Sequence, residues 1–298
     1  MDSKIIRFLD YIKYEKRYSD NTIVAYRKDL NQFKSFLDET FGEMDWAEVS
    51  HLNVRSWVFH LSELSSDKRT INRKISSLRS FYKYLFNNQI VSSHPLQHIQ
   101  SVKVGKSLPV VVPTEAIDKY INAPSESWQD LRDQMLIQVL YETGMRRAEV
   151  MKLTFDDIRW DRQQIRVLGK GNKWRIIPLR VDLVDKLTKY REEIQAQFDD
   201  LTPYIIVRDN GKPAYPKWIY NKVKQIIDVI ATTEKSSPHI LRHSIATHLL
   251  DNGADVRIIK EFLGHSSMAS TEIYTHNSIE KLKAAYKSSL PNLDRIIL

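Results

Sequence analysis

Apolar residues in the first hundred positions recur at spacings of three and four, which is the period of one helix face. Such stripes begin at Ile5, Val54 and Ile71, and the longest follows Ser19, a residue type that often caps the start of a helix. That longest stripe consists of Ile23, Tyr26, Leu30, Phe33 and Leu37. Because four such segments bury their apolar faces best against one another, the sequence predicts a four-helix domain.

The composition restricts the class of protein. The 298 residues are enough for about two domains, and a hydrophobic content of 42% excludes wholesale disorder. The absence of cysteine excludes disulfides, cysteine-type zinc fingers and thiol catalysis, and it is compatible with the cytoplasmic location that we predict. No apolar run is long enough to span a membrane or to act as a signal peptide. The formal net charge of +8 favours an acidic partner such as nucleic acid.

A short polar stretch, Val102–Pro109, contains a glycine and a proline and is typical of a linker. We place a helical domain at 1–100, the linker at 101–112 and a second domain at 113–298. The second domain mixes patterns, because 165–179 predicts a β-hairpin with a glycine-rich turn among helices. Those helices are predicted at about 131–140, 182–198, 216–231, 239–251, 256–263 and 268–287. The predicted class is therefore mainly α with a small β-sheet.

The predicted helix at about 70–86 has a basic face opposite its apolar stripe. The cations on that face are Arg69, Arg73, Arg79 and Lys83, and Asp67 is the only acid nearby in the sequence. A solvated helix face is the ordinary interpretation, and contact with a DNA phosphate backbone is the functional one. We assign these cations to DNA binding, together with Lys173 and Arg175 of the predicted hairpin.

Several short fragments of the second domain carry residues that could do chemistry. They contain Arg146, Lys170, the pair His239 and Arg242, then His265, and finally Tyr274. Each alone has an ordinary interpretation, such as a surface arginine, a plain hairpin turn or a half-buried tyrosine. A phosphate-binding loop of the Walker type is excluded around Lys170, because its spacing and following helix are missing. Zinc at His239 and His243 is disfavoured, because no third ligand is evident.

Together these residue types suit phosphoryl transfer without a metal or ATP. Arginine forks neutralise the charge that develops on the non-bridging oxygens of a phosphate. A lysine can protonate the leaving alkoxide. A tyrosine can attack phosphorus if cations or a base lower the cost of its deprotonation.

The order of these fragments resembles the tyrosine recombinase (phage integrase) family, specifically its Xer-type site-specific recombinases. The matching stretches are Glu142–Arg146, Leu168–Lys173, His239–His243, Ala246–Asp255, Leu263–His265 and Ile273–His276. The resemblance implies an N-terminal SAM-like core-binding domain that clamps DNA and a mixed α/β catalytic domain. It also implies that no cofactor or metal is needed.

The resemblance implies a role for each matched residue. Arg146 and Arg242 would hold the scissile phosphate, although Arg147 stands where the family usually has a smaller or apolar residue. We assign the role to Arg146 because it directly follows Gly-Met. Lys170 would donate a proton to the leaving 5′ oxygen. His239 and His265 would assist proton transfer. Tyr274 would attack and form a 3′-phosphotyrosyl bond.

The resemblance also implies an assembly. In the family, the final segment docks on a neighbouring protomer in a ring around paired DNA. The apolar tail residues Leu290, Leu293, Ile296, Ile297 and Leu298 fit that role, with packing on their own domain as the alternative. We therefore expect double-stranded DNA, a homo- or hetero-tetramer, no membrane, and strand exchange through a Holliday junction in chromosome dimer resolution. A paralogous recombinase and a DNA translocase remain open as partners. Alternatives are an integrase of a mobile element, a non-catalytic DNA-binding relative and a type IB topoisomerase.

Overall fold

The computed structural model describes residues 2–105, 110–169, 173–198, 202–231 and 236–264. The chain divides into two compact units, Met1–Ser107 and Leu108–Leu298. Within these described ranges, no helix combines the length and apolar character that a membrane span requires. The predicted helix at 268–287 and the apolar tail lie outside the described residues.

The first unit is helical, which confirms the predicted four-helix domain. Its helices are α1 (Ser3–Asp10, extended by a π-helical turn, Tyr11–Glu15), α2 (Asp20–Phe41), α3 (His51–Glu63) and α4 (Lys68–Asn87). The Ser19 hydroxyl accepts a hydrogen bond from the backbone N–H of Thr22, so α2 begins at the predicted cap. The core is rich in aromatic side chains, with Phe33 against Trp57 and Phe81 against Trp46. These packed rings fix how α2, α3 and α4 meet.

The second unit is mostly helical with one small sheet, as predicted. Its helices are α5 (Thr114–Ile121), α6 (Trp128–Thr143), α7 (Arg147–Val150), α8 (Val181–Gln197), α9 (Pro216–Ile230), α10 (Pro238–Asp251) and α11 (Val256–Leu263). Two helix starts and stops follow the sequence signals: Pro238 is the first residue of α10 after Ser237, and Gly264 ends α11 in a left-handed conformation. The sequence analysis missed α5, whose eight residues are too few for a clear periodic signal.

The described part of the sheet is antiparallel, in the order β1 (Ile158–Arg159), β2 (Gln164–Leu168) and β3 (Trp174–Pro178). The pairing of Ile165 with Ile177 and of Leu168 with Trp174 confirms the predicted hairpin between β2 and β3. The two-residue strand β1 was not predicted, because alternation of side chains cannot be detected over two positions.

Helix α6 lies at the centre of the second unit and ends at the candidate site. All its residues from Gln134 to Thr143 are buried, because other helices pack around it. Tyr141 and His248 link α6 to α10, with 2.8 Å between the Tyr141 hydroxyl and His248 Nδ1. Gly144 ends α6 with φ +56°, and a Cβ there would lie 2.7 Å from Leu263 Cδ2. A glycine is therefore required for α6 and α11 to approach this closely.

Residues near both ends of the proposed linker make hydrogen bonds within one unit or the other. Within the first unit, the Val102 N–H donates to Asn72 Oδ1 at 2.8 Å and its carbonyl accepts from Asn72 Nδ2 at 2.9 Å. Within the second unit, Val112 is fully buried, and its N–H donates to Ser244 Oγ at 2.9 Å. The bounds 101–112 therefore include residues that are packed into one unit or the other.

A buried carboxyl on α6 predicts how stability depends on pH. Burial, and then the negative charge of Asp182, raises the pKa of Glu142 to about 7. Because folding raises this pKa, the Glu142 carboxyl contributes to the stability of the fold fully below about pH 4.5, and this contribution is lost as the pH rises through about 7. Glu142→Gln should therefore raise the free energy of unfolding by about 3 kcal/mol at neutral pH and by little at about pH 5.

Urea denaturation of both chains at the two pH values measures this difference directly. Gln138 Nε2 donates to Glu142 Oε1 at 2.7 Å, and a glutamine at 142 keeps an acceptor oxygen for that bond. The substitution therefore tests the charge without removing the hydrogen bond. An equal effect of Glu142→Gln at both pH values would contradict the prediction.

Candidate active site

Arg146 lies where the end of α6 turns into α7. Its backbone N–H donates to Glu149 Oε2 at 2.8 Å, and its Nη1 donates to Glu149 Oε1 at 2.9 Å. Its Nη2 donates to the Gly264 carbonyl at 3.1 Å, beyond the end of α11. The side chain is 30% exposed, so the guanidinium is anchored by these hydrogen bonds and still reaches solvent.

Arg242 approaches the same place from α10. Its Nη1 donates to the carbonyl of Gly144 and its Nη2 to the carbonyl of Leu263. These carbonyls belong to the C-terminal ends of α6 and α11, where carbonyls lack partners within the helix and the helix dipole favours a cation. Two helix ends thus fix the orientation of a guanidinium that is only 8% exposed.

Glu149 and Arg175 complete the cluster. Arg175 Nη1 and Nη2 donate to the two carboxylate oxygens of Glu149 at 3.1 and 2.7 Å, and both side chains are buried. Burial opposes ionisation of Glu149, but hydrogen bonds from Arg175 and Arg146 outweigh it and lower the pKa of the carboxyl. The sequence analysis gave Glu149 no role, although its position three residues after Arg146 on a helix was a usable signal.

The cluster carries an excess of positive charge. Among the described residues of the cluster, Arg146 and Arg175 pair with the Glu149 carboxylate. The Arg242 guanidinium donates to two backbone carbonyls and lies within electrostatic range of Arg146, Arg175 and Glu149. Burial, and then the charges of Arg146 and Arg175, lowers the pKa of Arg242 to about 10, so it stays protonated at neutral pH. The groups repel one another in the absence of an anion, so a phosphate held by Arg146 and Arg242 would relieve the repulsion.

His239 lies one turn before Arg242 on α10. Partial burial, and then the positive charge of Arg147 and of Arg242, lowers the pKa of His239. The ring is therefore neutral at neutral pH and can accept a proton. In the described ranges, no group of three or more His, Asp or Glu side chains is placed to hold a metal ion.

Three of the six predicted catalytic residues, Lys170, His265 and Tyr274, lie outside the described residues. The structure brings the other three, Arg146, His239 and Arg242, to one place. Gly169 and Gly264, which directly precede Lys170 and His265, are described, and both lie against the side chain of Arg175.

Family comparisons cover nearly the whole chain. Residues 111–281 match the phage integrase family, and residues 5–89 match the phage integrase N-terminal SAM-like domain. The chain belongs to the phage integrase family. It is a tyrosine recombinase of the Xer type, an enzyme that cleaves and rejoins DNA, as its relatives indicate. It is 36% identical to tyrosine recombinase XerC of Listeria innocua over 96% of both chains. It is 34% identical to XerC of Lacticaseibacillus casei over 96% of this chain and 98% of the relative.

Solved structures share the fold of this recombinase. The XerH site-specific recombinase bound to a palindromic difH substrate superposes with a TM-score of 0.70, at 20% identity over 95% of this chain and 94% of that one. The Tn1549 transposon integrase, in complex with transposon right end DNA, gives a TM-score of 0.72 at 15% identity over 99% of each chain. At these identities the likeness concerns the fold.

The neighbouring arginine of the recombinase, Arg147, is placed differently from Arg146. Its guanidinium carbon lies 6.0 Å from the centre of the Tyr220 ring on α9, a cation–π arrangement. Arg146, by contrast, shares Glu149 with Arg175. This difference supports the assignment of the phosphate contact to Arg146, which stays a prediction.

The basic face of α4 is less free than the sequence suggested. Arg73 pairs with Asp29 of α2, an acid that is only 1% exposed, and Arg79 Nη2 donates to the Ile99 carbonyl at 2.7 Å. Asp67 is the only acid nearby in the sequence, but in the fold α2 supplies another, Asp29, across the helix pair. Arg69 and Lys83 are exposed on the same helix. DNA binding by these four residues stays a prediction.

The two hairpin residues assigned to DNA binding have different surroundings. Lys173 is exposed, as a DNA contact requires. Arg175 is 5% exposed and paired with Glu149, so its assignment as a surface DNA contact is wrong. The reason is strand alternation: Arg175 and Ile177 face the core, while Trp174 faces solvent.

Proposed function

We propose that this enzyme resolves chromosome dimers by site-specific recombination through a Holliday junction. The names of its bacterial relatives support this proposal, since those with 34–37% identity over most of the chain are XerC recombinases. The proposed substrate is chromosomal DNA, which in bacteria lies in the cytoplasm, and the proposal places the protein there.

One observation carries the chemical part of the proposal. Among the described residues, the guanidinium groups of Arg146, Arg175 and Arg242 lie around one carboxylate, and helix-end carbonyls fix the orientation of the buried Arg242. A site with this excess charge favours a phosphate whose non-bridging oxygens gain charge as the reaction proceeds. Because the guanidinium groups are already held, little reorganisation is needed at the moment of reaction.

The proposed reaction exchanges one phosphoester bond for another. The Tyr274 oxygen forms a bond to phosphorus while the bond from phosphorus to the 5′ oxygen breaks, and Lys170 gives its proton to that oxygen. Arg146 and Arg242 hold the non-bridging oxygens. Neutral His239 accepts the phenol proton, and His265 assists in stabilising the charged phosphate. Attack by a 5′ hydroxyl of another strand reverses the step and releases the tyrosine.

The rest of the chain is proposed to position DNA and copies of the enzyme. Arg69, Arg73, Arg79 and Lys83 would contact phosphates irrespective of sequence. Four protomers would form a ring on paired DNA, each docking its apolar tail on the next. The ring would consist of copies of this chain, alone or together with a paralogous recombinase. A DNA translocase would control the activity of the ring.

Covalent trapping tests the proposal. The full chain is incubated with fragmented genomic DNA, protein-linked fragments are sequenced, and the recovered site is rebuilt as a nicked substrate that cannot be rejoined. The expected result is a 3′ protein–DNA adduct that forms without added metal or ATP and that Tyr274→Phe abolishes.

Other outcomes separate the alternatives. Binding without an adduct would indicate a non-catalytic relative, and recovery of mobile-element ends would indicate an integrase. Relaxation of supercoiled plasmid without a specific site would indicate a type IB topoisomerase.

A further inference from the structure

Arg175 lies where three segments of the catalytic unit meet. It is on β3, and its two terminal nitrogens form a bidentate pair with Glu149 on α7. Glu149 in turn accepts hydrogen bonds from the backbone and the side chain of Arg146. The hairpin is thereby joined to the segment that holds the proposed phosphate contact.

Two glycines give the Arg175 side chain its space. A Cβ at Gly169 would lie 3.2 Å from Arg175 Nη1, and a Cβ at Gly264 would lie 3.1 Å from Arg175 Cδ. Gly264 also has φ +65°, whereas at Gly169 only the available space calls for a glycine. Gly169 directly precedes Lys170 and Gly264 directly precedes His265, so both neighbours of Arg175 adjoin proposed catalytic residues.

Stability alone does not explain why a guanidinium is buried at position 175. A buried ion pair loses hydration, and an apolar side chain of similar volume often stabilises a core as well or better. Arg175 also adds positive charge beside Arg242, which is already buried. Its bidentate geometry, however, fixes distance and angle between two segments, which an apolar contact does not do.

We propose that Arg175 is a positioning residue, which holds the β2–β3 hairpin against Glu149 and Gly264 so that Lys170 can protonate the leaving 5′ oxygen. This inference rests on the proposed function. In this proposal Arg175 does not act on the DNA directly, since both of its terminal nitrogens are engaged by Glu149.

The test compares two leaving groups on the nicked substrate. One substrate has the ordinary 5′ oxygen, and the other has a bridging sulfur, which leaves as a thiolate without a proton. For Arg175→Gln, adduct formation should fall by about 100-fold with oxygen and by less than about 10-fold with sulfur. Lys170→Ala should give the same pattern. Arg146→Gln should be slow with both substrates, because it acts on non-bridging oxygens.

Further measurements separate positioning from loss of fold. DNA affinity of Arg175→Gln should stay within about threefold of the unmodified chain, because one buried residue changes no phosphate contact. Arg175→Lys keeps the charge without the fork and should show an intermediate defect. If Arg175→Gln does not fold, Gly169→Ala provides a second variant, because its Cβ crowds Arg175 from the hairpin side, and sulfur should also relieve its defect.

Two results would overturn the inference. One is an equal defect with oxygen and sulfur, and the other is normal cleavage by both Arg175→Gln and Gly169→Ala. The absence of any adduct with the unmodified chain is a different result, since it would overturn the proposed function and the role of Arg175 with it.

Discussion

Arg146→Gln is expected to slow strand cleavage by about 10²–10³-fold while leaving DNA affinity nearly unchanged. The large effect follows from the loss of a fixed cation at the oxygens that gain charge in the transition state. Affinity changes little, because one phosphate contact among many is lost. The fold should persist, because Glu149 keeps its bidentate partner Arg175 when Arg146 is removed. Single-turnover adduct formation on the nicked substrate, together with a binding titration, measures both quantities.

Arg147→Gln is the matched control. It removes the same charge one position along the chain, from a guanidinium that lies over the Tyr220 ring. We expect cleavage to slow by less than about tenfold, since only the electrostatic surroundings of His239 change. A larger defect in Arg147→Gln than in Arg146→Gln would reverse the assignment of the phosphate contact.

Arg132→Ala is expected to lower the free energy of unfolding of the catalytic unit by about 4 kcal/mol. Arg132 is fully buried, with its guanidinium carbon 5.1 Å from the Trp128 ring centre and 4.9 Å from that of Trp218. It also pairs with Asp133 and Asp209. Truncation removes these interactions and leaves a cavity between two indole rings. Urea denaturation followed by circular dichroism measures the loss.

Arg132→Met separates volume from charge. It refills much of the cavity but keeps neither ion pair. Asp133 would still have Lys222, at 3.0 Å, and Asp209 is 65% exposed, so both carboxylates stay compensated or solvated. Arg132→Met should therefore lose about half as much stability as Arg132→Ala. A loss of less than about 1 kcal/mol in Arg132→Ala would contradict the view that this arginine holds α6 and α9 together.

Local signals were sufficient for much of the fold. The stripe after Ser19, the stop at Gly264 and the hairpin pattern depend on neighbours in the sequence, and all three are found in the structure. Helix α6 was predicted only in part, at about 131–140, because its residues from Gln134 to Thr143 are all buried and its periodicity is weak. A helix without a polar face has no amphipathic pattern to detect.

The order of motifs was enough to predict a set of catalytic residues, but it did not predict what surrounds them. Arg175 was assigned to DNA binding together with Lys173, and the structure instead buries it against Glu149. The alternation of Arg175 with Ile177 along β3 was available as a signal for its burial. The sequence could have linked Glu149 to Arg146, three residues before it on a helix, but not to Arg175.

The sequence by itself determined the family, the helical first domain and the identity of the arginines and histidines that could act on a phosphate. Only the tertiary structure decided that Arg146 and Arg175 share the Glu149 carboxylate and that helix-end carbonyls of α6 and α11 orient Arg242. The physical reason is distance along the chain. Gly144, Arg242 and Leu263 are far apart in sequence, and only the close packing of α6, α10 and α11 brings their polar groups within hydrogen-bonding range.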